Sequence, residues 1–137
     1  MMKAILLSLA GALLSGAALA GEVTVTIEGV EDADGVVRVT LCQESEYESW
    51  SCALRASVPA VRGGGSVVFA EVPPGRYAIK AFHDSDGDGE LGRDLFGAPS
   101  EDYGFSNDAR GTFGPPDFAD AAVAVGEQPA TFVVHVH

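Results

Sequence analysis

The chain has 137 residues, with 20 Asp and Glu against 8 Lys and Arg, so its formal charge is −12. A surface of that sign repels nucleic-acid phosphates and anionic lipid headgroups, and makes cations and basic ligands the natural electrostatic partners. It argues against nucleic-acid binding and against adsorption to acidic membranes.

In chain order, Met1-Met2-Lys3 is a short positive start, followed by an apolar run from Ala4 to Ala18 and the small-residue sequence Ala18-Leu19-Ala20. This is the three-part pattern of a secretory signal peptide, with cleavage expected after Ala20. The run is too short for a membrane span, which needs roughly 20 apolar residues. No later stretch is apolar enough to be a candidate. Removing 20 of the 137 residues leaves 117, the size of one domain, and losing Lys3 takes the charge from −12 to −13. A chain of that length buries roughly two-thirds of its unfolded surface and needs no metal merely to form a core. The expected address is the periplasm or the cell exterior.

Val23, Val25 and Ile27 alternate with Thr24, Thr26 and Glu28, the period-2 pattern of a half-buried strand. Asp34-Gly35 marks a turn, and Val37, Val39 and Leu41 resume the alternation, so the two segments read as a hairpin. Glu44 to Ser51 is a polar loop holding Tyr47 and Trp50, bracketed by Cys42 and Cys52. An even cysteine count in an exported chain favours a disulfide, which would contribute roughly 2–3 kcal/mol by closing this loop. Ala53 to Val61 is a weaker strand, placed at an edge by Pro59.

Gly63-Gly64-Gly65 leads into a strand from Ser66 to Val72, and Pro73-Pro74-Gly75 turns the chain into another from Arg76 to His83. In that strand Tyr77, Ile79 and Ala81 share one face and Ala78, Lys80 and Phe82 the other. Ala119 to Val125 and Ala130 to His137 complete seven strands. The pattern fits an all-β, immunoglobulin-like or transthyretin-like antiparallel β-sandwich with one long irregular loop, 84–118. Connections of that length are usually functional or disordered. Apolar residues such as Leu91, Leu95, Phe96 and Phe113 favour an ordered one.

The loop opens with Asp84-Ser85-Asp86-Gly87-Asp88-Gly89-Glu90-Leu91-Gly92-Arg93-Asp94. Calcium takes six to eight oxygen ligands, and alternate carboxylates converge when the chain wraps a point. Asp84, Asp86 and Asp88 match positions 1, 3 and 5 of an EF-hand type loop, Gly89 matches the sharp turn at 6, and Glu90 offers its carbonyl at 7. At position 12 stands Leu95, with Asp94 one place early, and the preceding segment is a strand. The expectation is a calcium loop on a β scaffold, with Asp84, Asp86, Asp88, Glu90 and Asp94 as ligands.

Tyr103, Phe105 and Phe113 offer a recognition surface for a protein, peptide or glycan, and Asn107 and Asp108 read as turn formers or extra oxygen ligands. His135 and His137 lie two apart on a strand, an arrangement that with His83 would suit zinc or copper. The other alternative is a small hydrolase using acidic residues near the long loop. A glycosidase, though, needs two carboxylates at a set separation across a cleft that so small a domain rarely makes. Ser106 lies outside any G-x-S-x-G elbow, and no phosphate loop is present.

Val72-Pro73-Pro74-Gly75-Arg76-Tyr77-Ala78-Ile79 runs into Phe82-His83-Asp84-Ser85-Asp86-Gly87-Asp88-Gly89. Gly97-Ala98-Pro99-Ser100-Glu101, Tyr103-Gly104-Phe105-Ser106-Asn107 and Phe113-Gly114-Pro115-Pro116 come later. In that order these segments resemble the bacterial family catalogued as domain of unknown function 2141, over nearly the whole mature chain. The resemblance implies a secreted or periplasmic domain of unassigned activity, and it implies Asn in place of Asp86 and Asp88 in many members. The Pro-Pro-Gly-x-Tyr turn is similar to that of carboxypeptidase-regulatory and Cna-B type sandwiches, which are generally accessory or adhesive modules.

Overall fold

The computed structural model describes residues 20–49, 51–93, 95 and 97–137. Residues 1–19, where the signal peptide is expected, and Trp50, Asp94 and Phe96 lie outside the described residues. Eight strands are present among the described residues: β1 (Gly21–Glu28), β2 (Val36–Cys42), β3 (Leu54–Pro59), β4 (Gly64–Val72), β5 (Gly75–Asp84), β6 (Tyr103–Phe105), β7 (Ala122–Val125) and β8 (Ala130–His135). They form a three-stranded sheet in the order β4-β1-β8 and a second sheet in the order β3-β2-β5-β6, with β7 also paired to β5. Val23, Val25 and Ile27 from the first sheet and Val37, Val39, Leu41, Tyr77, Ile79 and Ala81 from the second share one buried core. The chain is thus all-β and two-layered, with β3 at an edge as Pro59 requires.

Four expectations need correction. β1 and β2 are not a hairpin, because β1 pairs with β4 and β8 whereas β2 pairs with β3 and β5. The segment between them is long enough to carry the chain from one sheet to the other, and inward alternation is the same for facing strands as for paired ones. Nor is the pairing wholly antiparallel, since β1 and β8 run parallel with Val25 opposite Phe132. The sixth expected strand starts only at Ala122, after a single helical turn, α1 (Phe118–Ala121). The long loop itself contains β6, so there are eight strands rather than seven.

The central strand β5 is buried on both faces from Tyr77 to Asp84. Its inner residues meet the core between the sheets. On its outer face Ala78 joins a satellite cluster with Cys42, Tyr47, Cys52, Phe105, Phe118 and Ala121. Cys42 and Cys52 form a disulfide with a Cα–Cα distance of 5.3 Å, as their count suggested. The Tyr77 hydroxyl donates to the Pro73 carbonyl at 2.7 Å, tying the strand back over the Pro-Pro-Gly turn. The Ser106 hydroxyl accepts from the Ile79 N–H at 2.9 Å, and the Asn107 amide donates to the carbonyls of Asp120 and Ala122. Those bonds fasten β6 and α1 to the outer face and give Asn107 a scaffolding role.

Two glycines allow close approaches that set the loop's position. Gly35 has φ +69°, and a Cβ there would lie 2.1 Å from the Asp84 carbonyl oxygen. A Cβ on Gly104 would lie 2.0 Å from the His135 carbonyl oxygen, where β6 meets the end of the first sheet. Left-handed backbone costs a non-glycine residue roughly 1–2 kcal/mol before any clash. Gly35→Ala is therefore expected to lower unfolding free energy by more than about 2 kcal/mol in urea titration, whereas Gly63→Ala, with open space around it, should lose only the conformational term.

Candidate functional site

β5 ends at Asp84, whose side chain is fully buried, and the chain then turns sharply through positive-φ glycines at 87 and 89. Val36 of β2 lies opposite Asp84, and Arg38 reaches diagonally across to donate from Nε to Asp84 Oδ2 at 2.6 Å. The Gly89 N–H donates to the same oxygen at 2.9 Å. Asp84 Oδ1 is buried with no hydrogen-bond partner. Burial opposes the charge on Asp84, but the Arg38 guanidinium and the Gly89 N–H outweigh it and hold the carboxyl below its ordinary pKa.

Asp86 and Asp88 follow as overlapping side-chain turns. Asp86 Oδ1 accepts from the Asp88 N–H at 3.2 Å, and Asp88 Oδ1 accepts from the Glu90 N–H at 2.9 Å. The Asp88 N–H favours the charge on Asp86, yet partial desolvation and the neighbouring carboxyls of Asp84 and Asp88 raise its pKa. Like charges are being held together.

The fourth member of the group is Glu101. One oxygen from each of Asp84, Asp86, Asp88 and Glu101 lies within 4.8 Å of the others. Arg93 bridges to Pro99 and the Ser100 N–H donates to the Gly92 carbonyl at 2.7 Å, so the loop folds back and returns Glu101 to Ser85. Glu101 Oε2 accepts from the Ser85 N–H and hydroxyl, at 2.9 and 3.1 Å, and Oε1 accepts from the Gly92 N–H at 2.7 Å. Glu101 was missing from the expected ligands because its place depends on this fold-back, which no local spacing encodes. Glu90 points no carboxylate into the group, its expected part having been through its carbonyl, and Asp94 lies outside the described residues.

The histidines are not brought together in threes. His83 is buried and donates from Nε2 to the Asp34 carbonyl at 2.6 Å, with Asp32 at 3.6 Å, while His135 and His137 face each other with ring centroids 5.4 Å apart. Among the described residues, the acidic quartet is the one group of three or more potential ligands close enough to share an ion.

Further along the outer face is a groove of about 980 Å3, bounded by the 44–48 turn and the loops at 91–99 and 111–118. Tyr103, Phe105 and Phe113 line it, the last fully exposed. At its floor lies Lys80, 3% exposed, whose ammonium donates to the Tyr47 and Ser49 carbonyls and sits 4.8 Å from the Tyr47 ring centroid. Burial pulls the Lys80 pKa down to about 8, against the favourable charge of Glu46. Burial, with help from Asp117 and Asp120, pushes the Tyr47 phenol up to about 12. The Tyr47 hydroxyl donates to the Pro116 carbonyl at 2.6 Å.

These features define an all-β, two-sheet domain with a four-carboxylate cluster at the end of its central strand. The profile of a bacterial family described as "Uncharacterized protein conserved in bacteria", domain of unknown function 2141, matches residues 25–132, and the chain belongs to that family. No curated protein and no solved structure matches the chain.

The two shifted groups have opposite consequences at alkaline pH. Between about pH 8 and 10.5 the unfolded chain holds the Lys80 proton more tightly than the folded one, so stability rises with pH. Above pH 10 the unfolded chain loses the Tyr47 proton first, so stability falls. Denaturant unfolding should therefore show a gain of about 2 kcal/mol from Lys80 between pH 8 and 10, followed by a decline. Lys80→Met should abolish the gain and keep the decline.

Proposed function

We propose that this chain is an exported, immunoglobulin-like or transthyretin-like binding module whose Asp-rich loop holds calcium. The observation that carries the reading is Asp84 Oδ1, a buried carboxylate oxygen without a partner beside three further carboxylates. An uncompensated buried oxygen costs roughly 1–3 kcal/mol, and a hard divalent cation offsets that cost together with the mutual repulsion of the group. Asp84, Asp86, Asp88 and Glu101 would supply side-chain oxygens, with backbone carbonyls such as that of Glu90 and water completing the shell. The ion's part is structural: it would fix the loop that walls the aromatic groove, where a protein, peptide or glycan partner is the proposed ligand. The disulfide agrees with an oxidising compartment, periplasmic or extracellular.

At calcium 100 times its dissociation constant the folded state gains about 2.7 kcal/mol, which corresponds to a rise in Tm of roughly 10 °C for a domain of this size. Thermal melts in calcium and in chelator measure this directly, and coincident midpoints would remove the reading. Asp86→Ala combined with Asp88→Ala should abolish the calcium-dependent shift while leaving the chelator midpoint within a few degrees, since both residues are exposed. Because protons and calcium compete for the same carboxylates, the shift should shrink as pH falls through the carboxylate range.

A further inference from the structure

We infer that the outer face of β2 and β3 carries a second, separate site that binds a carboxylate through Arg38 and Arg55. The chain has only eight Lys and Arg, and two of them line a single concavity of about 340 Å3. In the β2–β3 register Arg38 lies opposite Ser57 and Thr40 opposite Arg55, so the two arginines are diagonal neighbours on one face. Diagonal side chains on adjacent strands are roughly 7–8 Å apart at their bases, well within the reach of two long cations. Asp84 balances the charge of Arg38, whereas that of Arg55 has no ion-pair partner among the described residues.

The two guanidinium groups are held differently. Arg38 spends Nε on Asp84, which fixes the plane of its guanidinium and leaves both Nη groups without a protein partner among the described residues. Arg55 is exposed and makes no ion pair or hydrogen bond among the described residues. Ser57 adds a hydroxyl between them, and Gly89 of the Asp-rich loop forms part of the rim. One anchored and one free guanidinium match the two oxygens of a planar carboxylate, the geometry for which arginine is suited. In a chain of charge −12, with Asp84 close behind Arg38, a monoanion costs less to bring in than a phosphate dianion. Acidic sugars and the free C-termini of peptides share this carboxylate chemistry.

The site does not depend on calcium, so it is tested in chelator, where failure of the calcium reading has no bearing. Nitrogen-edited NMR titrations of the mature protein at low salt would use D-galacturonate, N-acetylglycine, D-galactose and inorganic phosphate as probes. Galacturonate should bind with a dissociation constant on the order of 1–10 mM, perturbing Ser57 and its neighbours, and should weaken as chloride rises. Equal binding of N-acetylglycine would mark a general carboxylate site, and tighter binding of galacturonate an acidic-sugar site; either supports the inference. Arg55→Gln should weaken binding at least fivefold without moving the Tm, because the Arg55 side chain makes no ion pair or hydrogen bond among the described residues, whereas Arg62→Gln should have no effect. Unchanged affinity in Arg55→Gln, equal binding of neutral galactose, or tighter binding of phosphate would each overturn it.

Discussion

The contact between the Arg38 guanidinium and the Asp84 carboxylate joins the second sheet to the long loop, and the rest of the outer face is arranged around it. Asp84 has no exposed surface, so its charge is tolerable only because Arg38 and the Gly89 N–H face one of its oxygens. Its second oxygen is buried without a hydrogen-bond partner, and one Asp84 oxygen lies within 4.8 Å of one from each of Asp86, Asp88 and Glu101. The Asp-rich turn is consequently anchored in the sheet rather than suspended from it. An acidic turn held only by solvent would have no reason to bury its first residue.

Three staples of different chemistry shape the remainder. Glu101 receives three hydrogen bonds from Ser85 and Gly92, closing the first part of the loop on itself. Ser106 and Asn107 then fasten β6 to Ile79 and to the end of α1. Lys80, by contrast, holds the disulfide loop from below through the Tyr47 and Ser49 carbonyls. A buried ammonium is expensive, and its depressed pKa reflects that expense. Its carbonyl partners and the Tyr47 ring offset part of the cost.

The all-β class and the edge position of β3 were legible because each follows from local periodicity or a single proline. The cysteine pairing was legible from its count. Sheet membership was not, since Val23, Val25 and Ile27 point inward whether β1 pairs with β2 or faces it across the core. Of the acidic cluster, Asp84, Asp86 and Asp88 were readable from their spacing of two. Glu101 was hidden because the Arg93–Pro99 bridge that returns it is a matter of tertiary folding. The diagonal of Arg38 and Arg55 was hidden for a related reason: it exists only once the β2–β3 register is fixed.

The parallel pairing of β1 with β8 has a consequence for how the chain acquires its structure. β1 lies between β4 and β8, so the first strand made is the middle strand of its sheet and is completed only by the last. Val25 meets Phe132, a contact between opposite ends of the sequence. Such long-range closure slows folding and makes it strongly dependent on chain completion. A chain missing its final strand would thus leave one edge of β1 open, with the backbone groups that β8 pairs left unmatched.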